Sequence, residues 1–317
     1  MRGPCVAVVI SLSSLLLYPA DDARADEGGE SFWVPGQFAA NQAATPPSPG
    51  WSIPITVYYY SGRAPDSASS ASGAAVAPGT RAQTWQLTAS PTYAPKSKVL
   101  GGQFAAMMSV GIGSNATQLD QTASSGPDSQ TVWGLTDVAP AATLGWQRGA
   151  DSWMVYVTGN VPVGSYDSNR LSNVGIGHAA VDAGGVYTFD SATSGRSVSA
   201  ALGITHNFTN PDTNYRSGID SHLGWSAMFP LSHAWRAGLS GYVYYQLTGD
   251  SSSGGSCGPC KSRVAAVGPQ LDYTFTVGGQ QWSAALRGNY EFWAQNRLEG
   301  YALFATLNVQ IGGMSGR

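Results

Sequence analysis

Cys257-Gly258-Pro259-Cys260, followed by Lys261, is the sharpest chemical motif in this chain of 317 residues. Two thiols at that spacing exchange electrons when the first sits at a helix N-terminus behind a strand, which favours the thiolate. Here the flanks are rich in Ser and Gly and show no strand–helix pattern. The pair therefore reads as a small disulfide, Cys257 to Cys260, in an exposed loop of a secreted protein. Half of a zinc site is its other chemical use. The four histidines, His178, His206, His222 and His233, are scattered without paired metal spacing, so neither a metal nor a cofactor is expected. No G-x-S-x-G, P-loop or zinc-protease motif occurs. A membrane lipid hydrolase would need Ser, His and Asn on a lipid-facing rim. His206 with Ser197 and Ser199 is the one hairpin to consider, but strand parity turns those serines the other way. No catalytic residue is expected.

A second set of residues has no reactive motif but a consistent placement. Gln103, Asn160, Asp182, Asp220, His222, Gln246, Gln270, Asp272, Arg287, Asn289 and Glu291 recur on one face of alternating segments. Tyr58, Tyr60, Tyr156, Tyr242 and Tyr244 share that face. Charges of both signs in mid-segment make sense against a wet interior, because an Arg or Lys facing lipid costs about 2–4 kcal/mol at the midplane. These residues are candidates to line a lumen, where tyrosine rings can meet an apolar ring by offset stacking. The bland alternative is that they fill the interior as a hydrogen-bonded network.

The elements that must carry these residues alternate with period two. In 235–248, Trp235, Leu239, Val243, Tyr245 and Leu247 oppose Arg236, Ser240, Tyr242, Tyr244 and Gln246. In 152–163, Trp153, Val155, Val157 and Val161 oppose Tyr156, Thr158 and Asn160. About twelve such segments occur, each long enough to cross a membrane when tilted. About six long polar loops alternate with about five short turns, which puts the loops at one rim and the turns at the other. The expected fold is all-β: a transmembrane up-and-down antiparallel β-barrel over 51–312, with long extracellular loops and short periplasmic turns. Trp51, Tyr59, Trp146, Trp153, Trp235, Trp282, Phe292 and Tyr301 near segment ends suit interfacial girdles. Pro54, Pro140 and Pro162 remove ladder donors and leave a route through the wall open beside an axial one.

Composition agrees with a barrel. Only 11% of residues are charged and the net charge is −3, with no basic stripe for nucleic acid. After the N-terminus no apolar run reaches the length of a membrane helix. Residues 1–25 read as a signal peptide: Arg2, an apolar core from Val6 to Leu17, and Ala23-Arg24-Ala25 as the cleavage site. Residues 26–50 carry aromatics without alternation and form either a periplasmic leader or a plug. Residues 313–317 are a short tail.

Four stretches then carry a resemblance: GGESFWVPGQFAA, WMVYVTGNVPVGSYDSNRLSNVGIGHAAVDAGGVYTF, ITHNFTNPDTNYRSGIDSHLGWS, and GYVYYQLTGDS with KSRVAAVGPQLDY. Together they resemble the bacterial outer-membrane transporter family involved in the meta-pathway of phenol degradation, across essentially the whole mature chain. The resemblance implies a bacterial outer-membrane location, lipid as surroundings, and passive uptake of small hydrophobic or aromatic molecules. It supplies no catalytic residues. The C-G-P-C loop and the ending GGMSGR depart from the family pattern. Three functions follow: a channel, a structural or surface-interaction barrel without a continuous pore, and the lipid hydrolase. No oligomeric partner is indicated.

Overall fold

A computed structural model describes residues 31–34, 43–64, 79–119, 129–252, 255–257 and 261–311. Alternation rolls the chain into one closed antiparallel sheet of 12 strands. In chain order these are β1 (Gly50–Arg63), β2 (Arg81–Ala89, continued by Thr92–Ala94), β3 (Gly102–Gln118) and β4 (Ser129–Leu135, continued by Ala139–Arg148). There follow β5 (Asp151–Asn160), β6 (Ala180–Asp190), β7 (Ser197–Asn207) and β8 (Asp220–Pro230). The last four are β9 (Trp235–Gln246), β10 (Arg263–Val277), β11 (Gln280–Gln295) and β12 (Glu299–Ile311). Each pairs with its successor, and β12 returns to β1 in register from Trp51↔Ile311 to Arg63↔Glu299.

Strand β7 shows why the sheet closes. Ser197, Ser199, Ala201, Thr205 and Asn207 are buried, while Val198, Leu202 and Ile204 are exposed. An apolar outer face suits lipid and a polar inner face must find partners inside, so a free edge serves neither. The shortest continuous wall strand, β5, has 10 residues; at about 3.3 Å each that is about 33 Å, enough to cross a bilayer core when tilted.

The turns at one rim are tight. Gly149 (φ +62°) and the Gly278–Gly279 pair (φ +57° and +79°) adopt the left-handed conformation that two-residue hairpins require. The strand-to-strand connections at the other rim span 64–80, 119–128, 161–179, 208–219, 247–262 and 296–298. The last was expected to be long. Instead Asn296 takes φ 55° and closes a short hairpin, so β11 runs on to Gln295. Strand β3 likewise exceeds its expected end near 112. Its upper part pairs with Ser129–Leu135, in register from Ile112↔Leu135 to Gln118↔Ser129.

Among the described residues two β-bulges interrupt the ladder. In β4, Leu135 faces Ile112 and Ala139 faces Ser109, so the stretch through Asp137 holds one residue more than β3. In β11, Phe292 is extra where Ala266 faces Glu291 and Ala265 faces Trp293. Phe292 and its neighbour Trp293 are consequently both exposed.

Two described parts of the leader lie inside the wall. Trp33 is buried among Tyr242, Tyr244, Val264 and Ala266. Ala44 packs with Met154, Tyr156, Val186 and Ala201, and its N–H donates to Thr188 Oγ1 (3.1 Å).

Candidate functional site in the barrel interior

The bulges decide where two carboxylates go. Asp137, carried by the β4 bulge, receives Gly164 N–H on Oδ1 (2.8 Å), and Asn160 Nδ2 (2.9 Å) and Ile176 N–H (3.0 Å) on Oδ2. It thereby holds loop 161–179 against the wall. Asn115 Nδ2 donates to Asn173 O (3.0 Å), and Ser172 donates to Asn115 O (2.8 Å), fixing the same loop further along. Within that loop Asp167 accepts Asn169 N–H and Asn169 Nδ2, and the backbone donor first, then the side chain, holds its carboxyl below the usual range.

Glu291, beside the second bulge, is buried and accepts three donors: Tyr60 O–H (2.9 Å), Tyr242 O–H (2.9 Å) and Gly300 N–H (2.8 Å). Both tyrosine hydroxyls and the Gly300 amide therefore converge on one buried carboxyl group and fix its position. Between the acids lies a cavity of about 190 Å³. Tyr58, Tyr60, Tyr242, Asn160, Asp137 and Glu291 line it, with Phe32 and Val34 of the leader, Val174 and Ile176 of the loop, and Arg297. An apolar cavity of about 150 Å³ already admits a benzene ring, so the space is of monoaromatic size.

The sequence candidates divide into two groups. Tyr58, Tyr60, Asn160, Tyr242 and Glu291 reach this cavity. The rest are packed. His222 Nε2 bonds Asp182 Oδ2 at 2.8 Å, Thr205 donates to the same oxygen at 2.6 Å, and Tyr156 lies 3.5 Å from His222 Nε2. Asp220 accepts from Asn207 (2.7 Å). Gln246 bonds Asp250, which also takes Tyr215 O–H and Gly218 N–H, anchoring the loops after β7 and β9. Gln270 donates to Asp272 (2.9 Å), and Asn289 to Ser240 O (3.1 Å). Arg287 lies over the ring of Phe304 (4.6 Å), and Arg297 over that of Tyr244 (4.9 Å). Gln103 sits at the turn end and donates to Pro95 O (2.7 Å).

The residues missed at first are Trp33, Asn115, Asn173 and Arg297. They come from the leader, from loops and from the extension of β3, where alternation gives no signal. His206 and the serines Ser197 and Ser199 are on opposite faces of β7, the serines inside, so that hairpin forms no nucleophile–base pair. Cys257 lies in a short hairpin strand, Gly255–Cys257; Cys260 and its side of the proposed disulfide lie outside the described residues, as do 1–25 and 313–317. Among the described residues no group of His, Cys, Asp or Glu could hold a metal ion.

Comparison with solved structures gives the same architecture. The COG4313 outer membrane channel from Pseudomonas putida F1 superposes with a TM-score of 0.68 at 12% identity, covering 88% of this chain and 100% of that one. The transport unit of the autotransporter AIDA-I from Escherichia coli gives 0.49 at 11% identity over 87% and 93%. The translocator domain of NalP from Neisseria meningitidis gives 0.45 at 13% identity over 84% and 91%. The two autotransporter barrels overlap too loosely to add to the first. No curated protein matches the sequence. A family model described as "Putative MetA-pathway of phenol degradation" matches residues 65–307, which is most of the barrel, and the chain belongs to that family.

Proposed function

We propose that the protein is an outer-membrane channel for passive uptake of small, uncharged aromatic molecules, held closed at rest by residues 26–50. The observation that carries this reading is the monoaromatic-sized cavity between Tyr58, Tyr60 and Tyr242, floored by Phe32 and Val34. Tyrosine rings offer flat apolar contact, and two acids against one arginine disfavour an anionic solute. The family's link to phenol degradation, and the channel named in the Pseudomonas putida structure, fit the same use. Outer-membrane lipid surrounds the barrel, and the reading assigns it no catalytic role.

Uptake of labelled phenol is the test, in a host whose lipopolysaccharide leaflet is intact and slows unaided entry. Expression of the channel raises the initial rate at low phenol concentration. A rate equal to that of the empty host ends the proposal.

The packed interior around His222 and Asp182 favours a second reading, a barrel that only displays loops. Planar-bilayer conductance separates the two. Deleting residues 26–50 raises conductance if that segment is a plug, and leaves it at baseline if the side chains alone close the barrel.

A further inference from the structure

Trp33 is 1% exposed, and its indole lies 4.0 Å from the His222 ring at an interplanar angle of 15°. Tyr242, Tyr244, Val264 and Ala266 complete its surroundings. This is a slot shaped for one flat ring, with an imidazole as one face and apolar or aromatic walls. What fills it is a side chain of a leader segment, not of the wall.

Two polar atoms in the slot are left without partners. Trp33 Nε1–H and His222 Nδ1 are both buried, and among the described residues neither makes a hydrogen bond. His222 Nε2 faces the Asp182 carboxylate, which also takes the Thr205 hydroxyl. A carboxylate only accepts, so Nε2 carries a proton toward Asp182, and Nδ1 is the ring nitrogen left facing the slot. The indole N–H and the imidazole Nδ1 thus lie in one slot and do not meet, because face-to-face stacking keeps the indole N–H out of the imidazole plane. Such unmet groups weaken the hold on Trp33. A free ring bearing a hydroxyl is not bound by the tether, and its hydroxyl, which both donates and accepts, can pair with Nδ1.

The slot and the cavity are also neighbours. Phe32 and Val34 line the cavity, Trp33 between them fills the slot, and Tyr242 borders both. The leader is therefore the partition, and moving it joins the two spaces.

From this we propose that Trp33 is a tethered stand-in for the solute: the slot on His222 is a binding site for hydroxylated aromatic rings, and such a ring opens the channel by displacing Trp33. The proposal rests on the channel reading and adds a second site and a trigger to it.

The test is calorimetric titration of the purified full-length protein in detergent with phenol, and with 3-methylindole as a mimic of the Trp33 side chain. Trp33→Ala removes the tethered competitor, so phenol binds at least tenfold more tightly than to the wild type, and 3-methylindole competes for the same site. Adding His222→Ala to Trp33→Ala abolishes that gain. A chain lacking residues 26–34 reproduces the gain and guards against an artefact of the point variant. In planar bilayers phenol raises the conductance of the wild type, whereas Trp33→Ala conducts without it. Equal phenol affinity for the wild type, Trp33→Ala and the double variant overturns the proposal. Phenol uptake in cells without any gain in affinity also overturns it and leaves the channel reading standing. The gain without uptake supports the slot and sinks the channel.

Discussion

From β5 to β9 the strands run unbroken, and inward side chains such as Tyr156, Asp182, Thr205 and His222 meet across the interior. From β1 to β4 the same alternation is repeatedly interrupted. Pro54, Pro91 and Pro140 withhold ladder donors, and the β4 bulge shifts its register at Asp137. The first region gives the closed network of Tyr156, Asp182, Thr205 and His222. The second gives the cavity, with Tyr58, Tyr60, Thr84 and Thr88 on its wall and loop 161–179 folded against it. A regular ladder sets side chains at matched heights, so polar groups pair and space disappears. Interruptions break the matching and leave room, which loop and leader residues then border. The packed side holds the barrel's shape while the broken side offers a place for a solute.

Removing one acid from each region exposes the difference. Asp182→Ala has the largest expected effect. It orphans the Thr205 hydroxyl and leaves His222 Nε2 only the Tyr156 hydroxyl at 3.5 Å, in an interior without room to relax, at about 1–3 kcal/mol for each group. Urea unfolding in lipid vesicles should show that full loss, with conductance unchanged. Asp137→Ala orphans the Gly164 and Ile176 N–H groups, while Asn160 Nδ2 keeps His178 O (2.8 Å), and both orphans belong to a loop that can swing into water. Unfolding stability should change by less than about 1 kcal/mol, while loop protection is lost. Hydrogen exchange at Gly164 and Ile176 should rise at least tenfold, since about 1.4 kcal/mol is a factor of ten and a hydrogen bond to a charged group contributes about 1.5–3 kcal/mol. If Asp137→Ala unfolds the barrel as readily as Asp182→Ala, the two regions are not distinct.

Glu291→Gln, on β11, tests the cavity by function. The amide keeps the shape but removes the charge, so exclusion of anionic rings relaxes. Uptake of benzoate relative to phenol should rise a few-fold. An unchanged ratio would show that the acid holds Tyr60 and Tyr242 in place without screening solutes.

The two regions were not equally legible in the sequence. Strands β5 to β9 read clearly because Trp153, Val155 and Val157 alternate with Tyr156 and Thr158 without a break. The inward placement of Arg287, Asn289 and Glu291 also followed from parity, since each is buried. The division of the tyrosines was not legible: Tyr242 borders the cavity and Tyr244 does not, although both sit on the same face of one strand. That depends on which residue stands across the lumen, which one strand's pattern does not contain. Strand β3 beyond Ile112 was hidden because Ser114, Asn115, Thr117 and Gln118 read as the start of a polar loop, and their partners, in Ser129–Leu135, come from the far end of that same stretch. Trp33 was visible only as an aromatic out of phase, because its partner His222 is distant in sequence.

The smallest effect lies where the broken side repairs itself. Pro54 O accepts Ser90 N–H (2.9 Å), as a ladder pair should, but proline has no N–H to return to Ser90 O. The Thr92 hydroxyl takes that carbonyl instead (2.9 Å). The irregular wall therefore keeps its backbone groups satisfied by a local side chain, which makes the interruption tolerable without making it regular. Pro54→Thr restores the ladder donor, with a gain of at most about 0.5–1.5 kcal/mol. Thr92→Val should cost about 1 kcal/mol in the wild type and close to nothing in the Pro54→Thr background, a coupling that a double-mutant cycle resolves. Additive losses would mean that Ser90 O finds another donor and that Pro54 is not what Thr92 compensates. Phenol uptake by the same Pro54→Thr variant sharpens the comparison further. A solute that leaves through the wall between β1 and β2 is slowed by the restored ladder bond, whereas one that travels along the barrel axis is not.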